Sequence, residues 1–172
     1  MDVLFINPNS SKKVYQDLAK DYSAIETPTW ALLLAQSCRA QGYDVGILDA
    51  DAERLTQEKA CERIKSLSPR LVCFVVYGQN PNSGTTNMAG AVDLAEAIKK
   101  EKLDTTVGIV GSHVQSLPHQ VLNDEKSFDI IFLNEGVYAL WNLLKVDDLS
   151  DKKKLESVKG IGFLKEDKPH LT

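Results

Sequence analysis

Four polar stretches hold most of the side chains in this 172-residue sequence that could bind something. The first, Asn7-Pro8-Asn9-Ser10-Ser11, offers carboxamides and hydroxyls. The second runs from Tyr77 to Met88 and carries Gly78, Gln79, Asn80, Ser83 and Thr85 among further small and amide residues. Gly111-Ser112-His113 and Asn134-Glu135-Gly136 complete the set. Amides and hydroxyls satisfy the polar edge of a large ligand, and glycine lets such a ligand approach the backbone. The chemistry expected here is binding, and no nucleophile with its base stands out. The first histidine is His113, with His119 and His170 read as surface residues. Cys38, Cys61 and Cys73 lie in apolar periodic segments, as reduced core thiols do. They do not form the C-x3-C-x2-C triplet that ligates a radical-type iron-sulfur cluster, so no metal ligand is assigned.

The elements that would position these stretches are legible from apolar spacing. Short runs rich in Val, Ile and Phe predict strands over Val3 to Ile6, Val45 to Leu48, Leu71 to Tyr77, Thr106 to Val110 and Asp129 to Leu133, with a sixth near Ile161 to Lys165. Helical stripes alternate with them. Trp30, Leu33, Leu34, Ser37 and Cys38 precede Gly42, a residue suited to a left-handed helix end. Ala60, Cys61, Ile64 and Leu67 stop at Ser68-Pro69, while Met88, Ala91, Val92, Ala95 and Ile98 stop at Lys99-Lys100. A less regular connection runs past Pro118, and Val137, Leu140, Trp141 and Leu144 follow Gly136. The pattern predicts an α/β, Rossmann-like open parallel sheet of five or six strands with helices on both faces. In such sheets the ligand crevice lies at the carboxyl ends of the strands, where all four polar stretches fall. The connection from Asn7 to Glu26 is long for a strand-to-helix turn, which predicts a binding segment or lid.

Length and composition bound the reading. With 43% hydrophobic and 26% charged residues, one domain over 1–172 is expected, its core in 1–145 and a final strand and linker in 146–172. A formal net charge of -4 disfavours a nucleic-acid partner. Lys152-Lys153-Lys154 is bracketed by Asp147, Asp148, Asp151 and Glu156 and reads as a solvated face. No apolar run suits a bilayer, which predicts no membrane partner and a cytoplasmic protein.

The order of the motifs resembles the cobalamin-binding N-terminal domain of cobalamin-dependent radical S-adenosylmethionine enzymes. The residues carrying the likeness are Ile6-Asn7-Pro8, Pro28 with Leu34-Ala35 and Gly42, Leu48-Asp49-Ala50, Val72-Cys73-Phe74-Val75, Gly111-Ser112-His113 with Leu117-Pro118, and Asn134-Glu135-Gly136-Val137. Ser112 stands where the family often has a second glycine, and Asn134 and Val137 replace the outer members of G-E-G-E. The resemblance implies cobalamin as cofactor, with its nucleotide tail inserted between sheet and helices and its ring across the strand ends. It implies Asn7, Gly78, Gln79, Asn80, Ser83, Thr85, Gly111, Ser112, His113, Asn134, Glu135 and Gly136 as the binding residues. Classical carriers place a D-x-H-x-x-G histidine beneath cobalt; Asn7-Pro8-Asn9 holds none, so a base-off cofactor without a protein nitrogen on cobalt is expected. It further implies a radical S-adenosylmethionine catalytic domain beyond this segment, carrying the iron-sulfur cluster and using S-adenosylmethionine for methyl transfer or a related reaction. The segment alone would bind and not turn over.

Two other classes with the same alternation remain. A phosphoacceptor receiver would need acids after the first strand, an aspartate after the third and a lysine after the fifth, which this chain lacks. A flavodoxin-like flavin domain would use a hydroxyl-rich first loop, for which Asn9-Ser10-Ser11 is the alternative candidate.

Overall fold

The computed structural model describes residues 1–18, 24–78 and 81–172, with only the backbone described for Lys12 and for residues 81–83. Seven strands form one sheet in the order β2-β1-β3-β4-β5-β6-β7. They are β1 (Val3–Asn7), β2 (Val45–Asp49), β3 (Leu71–Val76), β4 (Thr106–Gly111), β5 (Ile130–Phe132), β6 (Ile161–Lys165) and β7 (Lys168–Leu171). The first five run parallel, while β6 and β7 are antiparallel to their neighbours. The sheet expected to have five or six parallel strands thus has a seventh, its last two strands are antiparallel, and the segment expected to be a linker contains a strand. Lys168-Pro169-His170-Leu171 pairs on one side only, so it needs neither an apolar run nor a free N–H at Pro169 facing a second partner.

Buried Val, Ile, Leu and Phe side chains explain the parallel strands: every residue of β3 is buried, as a strand covered on both faces requires. Helix α1 (Ser11–Tyr15) and a 3-10 turn (Gln16–Leu18) follow β1. Then come α2 (Thr29–Ala40), α3 (Gln57–Leu67), α4 (Pro81–Lys100), α5 (Ser112–Ser116), α6 (Pro118–Asp124), α7 (Val137–Leu144) and α8 (Lys152–Leu155). One face packs α2, α7 and α8 over Phe5, Cys73, Val75, Val110 and Phe132. The other packs α3 to α6 over Ile6, Phe74, Val76, Ile109 and Ile131.

Helix ends follow the sequence signals. Gly42 (φ 89°) and Gly136 (φ 84°) take the left-handed conformation, and Ser68 (φ 46°) does so at the end of α3. The three thiols are buried, which pushes Cys38 and Cys61 up to about 11 and raises Cys73 well above the ordinary thiol range. Lys152 departs from the solvated face expected of its cluster, lying half-buried with its ammonium 5.5 Å from the Phe163 ring centre. Lys154 pairs with Asp147 at 2.7 Å. His170 lies 5.2 Å from the Phe163 ring rather than standing free at the surface.

Candidate functional site

The chain turns left from β1 to β2 and then crosses back to place β3 on the other side of β1. The carboxyl ends of β1 and β3 therefore diverge into loops on opposite faces, which opens a crevice between them. A cleft of about 500 Å³ lies there. Asn7 and Pro8 form one wall, Trp30 and Ala31 of α2 a second, and Tyr77 and Gly78 a third. Such a volume is in the range of small-molecule sites, roughly 300–1,000 Å³.

Two of these walls are held by hydrogen bonds made within the protein. Asn7 Nδ2 donates to Asp49 Oδ1 at 2.8 Å, so the carboxamide is fixed by the neighbouring strand end. Ser10 is buried, its hydroxyl donating to the Asn87 carbonyl (3.0 Å) and accepting from the Gly90 N–H (3.1 Å). The first loop is thereby pinned to α4. Asn9 Oδ1 accepts from the backbone N–H (3.1 Å) and hydroxyl (2.6 Å) of Ser11. Asp51 also lines the cleft; burial raises its carboxyl above the ordinary range, and Asp49 adds to the effect. Tyr77 receives a hydrogen bond from Gln115 Nε2 (2.5 Å) and stacks on Trp30 with ring centres 4.6 Å apart. Burial, reinforced by the nearby Glu135 carboxylate, pushes its phenol up to about 12.

Of the binding residues expected from sequence, Asn7 and Gly78 line this cleft. Gln79 and Asn80 lie outside the described residues, as does the side chain of Ser83. Thr85, Ser112 and His113 meet beside the cleft, where α4 and α5 begin. Thr85 Oγ1 and His113 Nδ1 are 3.1 Å apart, so one proton joins them. Ser112 Oγ is buried and has no hydrogen-bond partner among the described residues. It faces Gly84, where an added Cβ would collide with it. The room at Gly111 is taken by Val76, so this glycine serves contact between strands. Asn134 Oδ1 accepts from Gly136 N at 2.9 Å, forming the tight turn into α7, and Glu135 is exposed at the same end of the sheet.

The polar stretch after β3 was expected to be a loop up to about Met88, yet helix α4 begins at Pro81. Proline suits a first helical turn, and Gly84 and Gly90 are tolerated where close neighbours leave no space for a side chain. Thr86 and Asn87 accordingly lie within the helix. Sequence reasoning did not single out Trp30, Ala31 or Asp51 as site residues. The one available signal was Trp30, an aromatic residue at the very start of a helix.

An open, mostly parallel sheet with a cleft at the switch point defines an α/β ligand-binding domain of the doubly wound class. Residues 16–144 match the model of the B12 binding domain. The chain belongs to that family, and its cofactor is cobalamin. Two structures of the radical S-adenosylmethionine methyltransferase TsrM from Kitasatospora setae are similar. One, with tryptophan substrate and a SAM analogue bound, has a TM-score of 0.73 at 16% identity, covering 99% of this chain and 29% of that one. The other, with cobalamin and a [4Fe-4S] cluster bound, has a TM-score of 0.71 at 17% identity, covering 98% and 30%. OxsB, a cobalamin-dependent S-adenosylmethionine radical enzyme with aqua-cobalamin bound, gives 0.67 at 18% identity over 99% of this chain and 22% of its own. At these identities the likeness establishes the fold, and the chain spans less than a third of each of these proteins. A search of curated protein sequences finds no match. Among the described residues no helix is long and apolar enough to cross a membrane, and no group of three or more His, Cys, Asp or Glu side chains is placed to hold a metal ion.

Proposed function

We propose that the cleft between β1 and β3 takes the nucleotide tail of cobalamin, leaving the corrin ring across the strand ends with no protein imidazole beneath cobalt. The observation that carries this reading is the cleft itself. Its volume of about 500 Å³ suits a nucleotide-sized group, its lining mixes aromatic and aliphatic surface with Asn7 and Asp51, and no histidine contributes to it. His113 follows the end of β4 by two residues, and its Nδ1 is joined to Thr85. Asn7 and Gly78 would contact the tail, Ser112 would offer a hydroxyl that has no partner among the described residues, and Gly111, Asn134, Glu135 and Gly136 would flank the ring along the neighbouring strand ends. Gln79, Asn80, Ser83, Thr85 and His113 belong to the same proposed rim.

When bound, cobalamin supplies an alkyl-cobalt centre for group transfer. The cleft residues of this chain would hold the tail and keep water from it, and with no histidine among the lining residues the chain would offer cobalt no imidazole there. The reaction would belong to a radical S-adenosylmethionine catalytic domain with its own iron-sulfur cluster, acting as a methyltransferase or a related enzyme in the cytoplasm. A flavin reading is disfavoured by the first loop, because the Ser10 hydroxyl is committed to α4 and Asn9 Oδ1 to Ser11.

The purified chain is expected to retain cobalamin through gel filtration with a base-off absorption spectrum, and to bind cobinamide, which lacks the tail, far more weakly. Paramagnetic resonance of the bound divalent cobalt should show no strong coupling to a nitrogen. Equal retention of cobinamide, or a strongly coupled nitrogen, would overturn the reading. A second expectation concerns Ser112→Ala. Removing a buried hydroxyl that has no partner among the described residues should stabilise the free protein by about 1 kcal/mol. On the proposed contact with the ligand, the same change should lower cobalamin affinity. Melting curves with and without cobalamin check both signs.

A further inference from the structure

Trp30 and Tyr77 face each other across the mouth of the cleft, and they differ in how firmly each is held. Tyr77 follows β3 directly, is half-buried, and is braced by Gln115 from α5. Trp30 is on the first turn of α2, whose N-terminal flank Pro28 supplies no side-chain cap. The preceding residues 24–27 are exposed, and Trp30 itself keeps 40% of its surface in solvent. With ring centres 4.6 Å apart and planes 29° apart, nothing fits between them. Stacked carbon faces need about 3.5–4 Å each, so admitting a planar group would require about 7–8 Å between the rings. One ring must move, and the uncapped helix start makes Trp30 the one with freedom.

We propose that Trp30 and Tyr77 form an aromatic clamp that opens at Trp30 and closes on the planar base of the ligand's tail, with Tyr77 as the fixed jaw. In the free protein the two rings cover each other's apolar faces. In the bound protein the base replaces that contact with two, so the clamp selects corrinoids that carry an aromatic base over those that do not. This inference rests on the cleft being the tail site.

The test compares cobalamin and cobinamide binding to the wild-type chain, Trp30→Ala and Trp30→Phe by spectrophotometric titration. Base-on-aromatic stacking is worth enough that Trp30→Ala should weaken cobalamin about tenfold or more. Cobinamide affinity should stay unchanged, and Trp30→Phe should recover most of the loss. Melting curves confirm that the exposed position leaves the fold intact. Equal weakening of both corrinoids, or no weakening of either, would overturn the clamp. If the wild-type chain does not distinguish cobalamin from cobinamide, the tail-site reading fails first, and the clamp with it.

Discussion

Gly111→Ala is expected to lower the melting temperature by about 5–10 °C, while Gly108→Ala three residues earlier in β4 changes it little. A Cβ at Gly111 would strike the Val76 side chain and come within 2.5 Å of its carbonyl oxygen and 2.9 Å of its carbonyl carbon. Val76 is the residue paired with Gly111 in the β3–β4 register. The obstacle includes backbone of a central strand, so relief requires moving the ladder. Overpacking of this kind costs about 1–3 kcal/mol, and a domain of this size loses about 2–4 °C per kcal/mol. At Gly108 the neighbours are Leu71 Cδ1 and Phe132 Cε2, both at 3.4 Å and both side-chain ends that can yield. Thermal and urea denaturation of the two variants side by side checks the contrast. Equal melting temperatures would mean that β3 and β4 are not in the contact described.

Gly90→Ala should be destabilising although it replaces glycine inside a helix, where alanine ordinarily gains about 1 kcal/mol. The new Cβ would lie 2.5 Å from the Asn9 carbonyl oxygen, 2.6 Å from Ser10 Oγ and 2.7 Å from the Asn9 carbonyl carbon. Either the first loop lifts from α4, breaking both hydrogen bonds of Ser10, or the helix is displaced. A net loss of about 2 kcal/mol is expected, the overpacking outweighing the propensity. Because Pro8 belongs to the same loop and Asn7 leads into it from β1, cobalamin affinity should fall with stability, by about tenfold or more. Ser10→Ala separates the causes: it removes the hydroxyl without adding bulk and should cost about 1 kcal/mol. Denaturation and cobalamin titration of both variants decide the matter, and a stabilised Gly90→Ala would show that the loop does not rest on the helix.

Much of the scaffold was legible because burial on two faces forces a sequence to show it. Val72 to Val76 can only be a covered strand, while of the stripe expected through Trp30, Leu33, Leu34, Ser37 and Cys38 the structure buries Leu34 and Cys38, with Ala31 and Ala35, and leaves Trp30 and Leu33 exposed. The last strand was illegible for the converse reason, since an edge strand in solvent carries no apolar pattern. The first turns of α4 were hidden by polar and glycine-rich composition. Their local preference is for a turn, and only the close approach of Ser112 and of the first loop makes glycine suitable there. The site was half legible. Polar residues at strand ends marked Asn7 and Gly78, but the far wall comes from the start of α2, where Trp30 and Ala31 carry the same periodicity as core residues. Periodicity reports which residues face the sheet and says nothing about where the covering helix stops short of it.

Three connections that are far apart in sequence answer to the opening turns of α4. The loop after β1 hangs on Asn87 and Gly90, and the start of α5 meets Gly84 and Thr85. The connection from β3 leads directly into the helix itself. The first loop and the start of α5 are therefore expected to move together, and a molecule that quiets one of them to damp the other through a shared axle. Hydrogen exchange around the crevice would slow as a single unit, including at amides no ligand touches.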